Sequence, residues 1–159
     1  MKNVISEKFY QKYAWVIFIV IGGVVAASGL LHAVGFNTDP KLVQTISDRT
    51  IDELKLSDPK LFNLYDFYFS GGGLSDLGFS FFLILISLNA YKKGQRWAWY
   101  AFCFVPIYFL TWIAISFKLP VESRSSLLPP LAAIIISSLV GLFLPFRNFF
   151  PDKKEEKMV

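Results

Sequence analysis

The chain has 159 residues, room for one ordinary domain. Its hydrophobic fraction is 54%, its charged fraction 18% and its mean hydropathy +0.48, a membrane composition that excludes a largely disordered chain. Cys103 is the sole cysteine, which excludes an internal disulfide framework and paired-thiol chemistry, and the net charge of +4 comes from short basic groups beside apolar runs rather than from a nucleic-acid-binding patch.

From Tyr13 to Phe36 there are 24 residues without an acid, lysine or arginine, more than the roughly 20 needed to cross a bilayer. Lys2, Lys8 and Lys12 ahead of this run resemble a signal-peptide start, but the run far exceeds the roughly 7 to 15 apolar residues of a cleaved signal, so the reading is an uncleaved helix. Gly22, Ala26, Gly29 and Ala33 recur at steps of four, three and four and predict a small-residue stripe for close helix packing.

Residues 37–66 are polar and rich in acids and read as a partly helical external loop. Asp39-Pro40 and Asp58-Pro59 each place a capping side chain before a helix-compatible proline, predicting two short helices. In the first, Leu42, Val43, Ile46, Ile51 and Leu54 form an apolar stripe that would cover the bundle mouth, lie on the membrane surface or dock a partner.

Three further spans are predicted over residues 67–91, 97–117 and 127–146. Gly71-Gly72-Gly73 enters the second without the lysine and hydroxyl of a phosphate-binding loop, and its order fails the dinucleotide spacing. Gly72 and Gly73 read as packing residues, sharing one helix side with Asp76, Ser80 and Ser87. Pro106 predicts a kink in the third span, Pro129-Pro130 the start of the fourth and Pro145 its end; residues 151–159 form a short charged tail.

Lys92-Lys93-Gly94-Gln95-Arg96-Trp97-Ala98-Trp99 is a basic turn followed by indoles, which predicts an interfacial anchor built from Lys92, Lys93, Arg96, Trp97 and Trp99. Lys and Arg number ten on the side carrying both termini and six on the other, which places both termini in the cytoplasm.

An ionised carboxylate within an apolar span costs roughly 2.5–3.5 kcal/mol on insertion scales, so Asp76 is predicted to face inward. His32 lies about 6 Å before Phe36 and Asp76 about 13 Å beyond Phe67, measured from the same side at 1.5 Å per residue, so the two are within reach of each other. Asp66 supplies a second acid at the boundary, and Tyr108, Thr111, Trp112 and Ser116 of the third span can wall the same outer half. This constellation reads as a proton or polar-ligand site, or as a pair that orients the first two helices. No catalytic residue and no metal site is assigned, since one histidine and one distant cysteine supply neither a ligand set nor a nucleophile with its base.

The end of the first span at Gly35-Phe36, Asp39-Pro40, the Gly71 to Gly73 entry and the Lys92-Lys93-Gly94-Gln95-Arg96-Trp97 turn together resemble small DoxX-like membrane proteins, over most of the chain. That resemblance implies a four-helix bundle working beside other subunits, in a group that includes quinone-linked oxidoreductase subunits. The sequence reading is thus an all-α, multi-pass integral membrane four-helix bundle. Its expected function is that of a noncatalytic accessory or assembly subunit of a larger membrane complex, without a cofactor of its own. Its expected partners are membrane lipids and other membrane subunits or further copies of itself. The alternative is a binding protein or enzyme holding a quinone, lipid or other amphiphile in an outer-half pocket.

Overall fold

The structure, a computed structural model, describes residues 2–35, 40–119 and 121–151, and every element within them is helical. The helices are α1 (Lys2–Ala33), α2 (Pro40–Ser47), α3 (Ile51–Ser57), α4 (Pro59–Ile86), α5 (Arg96–Phe102), α6 (Phe104–Ser116), α7 (Val121–Phe143) and α8 (Phe146–Phe149). Four stretches are long and apolar enough to cross a membrane: Lys12–Ala33, Pro59–Tyr91, Arg96–Ser116 and Arg124–Phe143.

The starts of α3 and α4 are set by caps rather than by where apolarity begins. Asp58 accepts from the Leu61 amide at 3.1 Å with Pro59 in the first turn, so α4 starts eight residues before the predicted span, at a polar cap. Asp58-Pro59 therefore opens a long helix and not a second short one. The short helix before it is α3, whose Thr50 accepts from the Glu53 amide while Glu53 accepts from the Thr50 amide at 2.8 Å, a reciprocal capping box. The predicted apolar stripe is divided at Asp48, whose φ of 54° lies in the left-handed region. Val43 and Leu54, on either side of that break, are both buried, with α2 against α7 and α3 against α4. The proposed Asp39 cap and the tail beyond Pro151 lie outside the described residues.

The third apolar stretch is interrupted at Cys103, between α5 and α6. Pro106 has no N–H to give to the carbonyl of Phe102, and its ring crowds that position, so the break falls one turn ahead of the proline. Pro129 and Pro130 do not start the fourth helix, as α7 begins at Val121 and carries both inside it. Apolar helices tolerate such prolines where neighbouring groups and local adjustment take up the freed backbone.

The helix α4 runs on into a single wide turn, Ser87–Tyr91, closed by five-residue hydrogen bonds such as Lys92 N to Ser87 O at 3.0 Å. Ser87 and Tyr91, four residues apart across this turn, are both buried. The Ser87 hydroxyl donates to the Trp15 carbonyl of α1, and the Tyr91 hydroxyl donates to the Gly141 carbonyl of α7, each at 2.7 Å. Gly94, at φ +70°, then reverses the chain into α5. Phe18, Tyr91, Phe102 and Phe149 interlock around this point, with Phe18 and Phe102 ring centroids 4.2 Å apart. These four rings form the densest part of the core and tie α1, α5 and α8 to the wide turn.

At the α3 cap, hydrogen bonds from Thr50 hold the Glu53 carboxyl below the ordinary value of 4.5. A depressed carboxylate stabilises the folded state fully above its unfolded value and loses that effect as pH falls through the folded one. Amide protection at Thr50 and Glu53 is therefore expected to hold from neutral pH down to about 4.5 and to fall below it; protection that declines already between pH 7 and 5 contradicts the assignment.

Candidate functional site

The helices α1 and α4 cross through two glycines. A Cβ placed on Gly29 would lie 2.8 Å from the Gly73 carbonyl and 3.0 Å from the Asp76 Cβ, and one on Gly73 would lie 2.6 Å from the His32 Cβ and 2.5 Å from the Ala33 amide nitrogen. Each glycine thus makes room for the polar residue of the opposite helix: Gly29 for Asp76, Gly73 for His32. Nearer the basic end, a Cβ on Gly22 would lie 2.8 Å from the Ile84 Cγ1. Ala26 lies half-buried on the same helix.

Gly72 is placed differently from the prediction. It is exposed, with nothing within 4 Å of a Cβ there, as for Gly71 and Gly78. One residue turns an α-helix by about 100°, so the neighbour of a glycine at the crossing points away from it.

Asp76 is half-buried beside this crossing. The Tyr108 hydroxyl of α6 donates to its Oδ1 at 3.3 Å, and Phe79 stacks on the Tyr108 ring at 4.8 Å, which fixes the phenol over the carboxylate. The Trp112 indole lies one turn further along α6 and is exposed. The His32 Cβ stands against Gly73, and its ring packs on Phe69, centroids 4.3 Å apart, while Phe69 stacks in turn on Tyr65. The structure therefore brings His32, Asp76, Tyr108 and Trp112 into one region. Asp66 stands apart: its Oδ1 is beside Gly35, 3.8 Å from where a Cβ would be, and it precedes Asp76 by ten residues, about 15 Å of helix.

Thr111 and Ser116, read as pocket walls, and Ser80, read as sharing a helix side with Asp76, are committed to backbone instead. Ser80 donates to the Asp76 carbonyl, Thr111 to Ile107 and Ser116 to Ile113. A span interior offers serine and threonine no water, so bonding to their own helix is the ready solution. Among the described residues, no group of three His, Cys, Asp or Glu side chains converges as a metal site. The cavities beside Tyr65, at Lys12 and along α1 and α7 are not lined by Asp76 or Tyr108.

At the other end, the basic turn is braced by aromatic rings. Lys92 Nζ lies 4.6 Å over the Trp15 ring, the Arg96 Nε donates to the Phe149 carbonyl at 2.9 Å, and Trp99 Nε1 donates to Leu142 O at 3.0 Å. Trp97 is exposed and donates to the Gln95 side chain, and Lys93 is exposed. Sequence reasoning missed Trp15 as the seat of Lys92. The available signal was Lys12-Tyr13-Ala14-Trp15, which repeats on α1 the cation-then-indole order of the turn.

Compared with known proteins, the chain matches no family model, no curated sequence and no solved structure.

The geometry makes two stability predictions. Gly73→Ala is expected to cost about 1–3 kcal/mol through overpacking at the crossing, whereas Gly72→Ala is neutral or stabilising by up to about 1 kcal/mol, measured by unfolding in detergent. Equal effects at the two positions contradict the crossing. Tyr108→Phe is expected to cost about 1 kcal/mol in the native background and nothing further once Asp76 is Leu; an unchanged cost in both backgrounds removes the hydrogen bond from the account.

Proposed function

We propose that the chain is a multi-pass integral membrane protein, a bundle of four spanning helices, acting as a noncatalytic accessory or assembly subunit of a larger membrane complex. The carrying observation is the outward side of α4, where Gly71 and Gly78 share a face and a Cβ on either would meet nothing within 4 Å, although glycine costs a helix about 1 kcal/mol at each position relative to alanine. The α1 stripe is used inside the chain against α4, so the uncovered small face is the one suited to a spanning helix of another subunit, where backbones approach closely. In this reading the DoxX-like resemblance describes a likeness of organisation, and the site around Asp76 orients α1, α4 and α6.

The same proposal sets the orientation. The end carrying the termini and the Lys92 turn has ten basic and four acidic residues, the opposite loops six basic and seven acidic, with Asp76 inside α4. Both termini are then cytoplasmic and residues 37–66 lie outside.

A second reading has one specific observation in its favour. The hydrogen bond from Tyr108 to Asp76, with the exposed Trp112 one turn further along α6, offers a polar head a donor and an acceptor in the outer half, as a quinone, lipid or other amphiphile requires.

Gentle extraction of the full chain from its native membrane followed by mass measurement tests the first reading. A stable assembly with other membrane chains, lost on Gly71→Leu and Gly78→Leu, is the expected result. An 18.1 kDa monomer of full stability, or an assembly of this chain alone, overturns it.

A further inference from the structure

A cavity of about 360 Å³ opens at the basic end, lined by Lys12, Tyr13 and Trp15 of α1, by Tyr91, Lys92 and Gly94 of the turn, and by Asn148 and Phe149 beyond α7. No acid lines it. Its two ammonium groups are seated on rings, Lys92 over Trp15 at 4.6 Å and Lys12 near Tyr13 at 5.7 Å, while the Asn148 amide adds a neutral polar group. Such a cavity favours a compact anion.

Its level in the fold is equally specific. Lys12 and Tyr91 are the terminal residues of two apolar stretches, and a third ends at Phe143, so the cavity sits where three candidate spans meet water. A second cavity, about 560 Å³ and almost wholly apolar, shares Tyr13 as a wall and follows α1 through Val16 and Val20 against Ile136 and Val140 of α7. From Tyr13 to Ile21 it extends about 12 Å along α1. A cationic recess at the boundary leading into a greasy groove pointing into the span has the division of an amphiphile with an anionic head.

We propose that these two cavities together hold one anionic phospholipid, its phosphate between Lys12 and Lys92 and an acyl chain in the groove between α1 and α7. A free phosphate ester would satisfy the lysines alone; the groove commits the site to the lipid. The inference rests on the membrane-spanning reading, not on the subunit reading.

The test is native mass spectrometry of the full chain released from nanodiscs of equal phosphatidylglycerol and phosphatidylcholine. One retained phosphatidylglycerol, preferred about tenfold over phosphatidylcholine, is expected, and Lys12→Gln with Lys92→Gln brings the ratio close to one. Lys12→Arg with Lys92→Arg keeps the preference, as does neutralising Lys55 and Lys60 at the opposite end, so a loss confined to the Gln pair is not a folding defect. Val20→Trp, which fills the groove, is expected to reduce retention with the lysines intact. Equal retention of the two lipids, a preference that survives the Gln pair, or displacement by glycerol phosphate overturns the proposal. Release of the chain from membranes by alkaline carbonate overturns the spanning reading and the lipid site with it, whereas a chain that stays embedded without the preference overturns the site alone.

Discussion

The approach of α1 to α4 at Gly29 and Gly73 constrains most of what the chain does. Helices whose backbones meet this closely cannot slide or rotate without a clash, because the Cβ of one helix's polar residue occupies the space the other helix's glycine leaves. Register is therefore set at that point and carried along two stiff rods. About ten residues towards the basic end the same register seats Ile84 against Gly22, and further on it brings Ser87 to the Trp15 carbonyl and Tyr91 to Phe18. The polar region at one end and the aromatic knot at the other are thus two consequences of one helix pair.

How much was readable in the sequence depended on which physical effect set each feature. Apolar run length is dictated by the solvent the helix faces, so all four stretches could be found from composition. Helix ends obey capping chemistry instead, which is why α4 begins at Asp58 among polar residues and why α3 begins at a Thr50 and Glu53 box that the apolar pattern does not mark. The proline at 106 acted as expected because a break in mid-span has an evident cause, whereas the pair at 129 and 130 sits inside α7, where neighbouring structure and not propensity decides. The wide turn at Ser87–Tyr91 was invisible, since one inserted residue leaves no compositional trace.

The candidate site was legible in part for the same reason. Axial depth follows from counting residues, so the proximity of His32 and Asp76 was computable from 1.5 Å per residue. Facing direction follows from angle, and a tract of three consecutive glycines gives no angular information: only the structure distinguishes Gly73, at the crossing, from Gly72, which faces out. Hydroxyls were the other ambiguity. Ser80, Thr111 and Ser116 share the right depth, but each has a helical carbonyl within easy reach, and in an apolar setting that partner takes them before a ligand can.

The two ends of the chain use their polar groups in opposite ways. At the Asp76 end the carboxylate receives the Tyr108 hydroxyl, and the phenol is pinned by Phe79, so the polar atoms of the two helices are turned towards one another. Polar groups satisfied in this way hold helices together and present little to a ligand. At the Lys92 end the cations are seated on ring faces, which orient an ammonium without neutralising it. A charge held in place but not cancelled still attracts a counter-charge from outside. Among the described residues, then, the carboxylate at one end is answered by a phenol of the same chain while the ammonium groups at the other are held on ring faces, and that difference separates a joint between helices from a cationic recess.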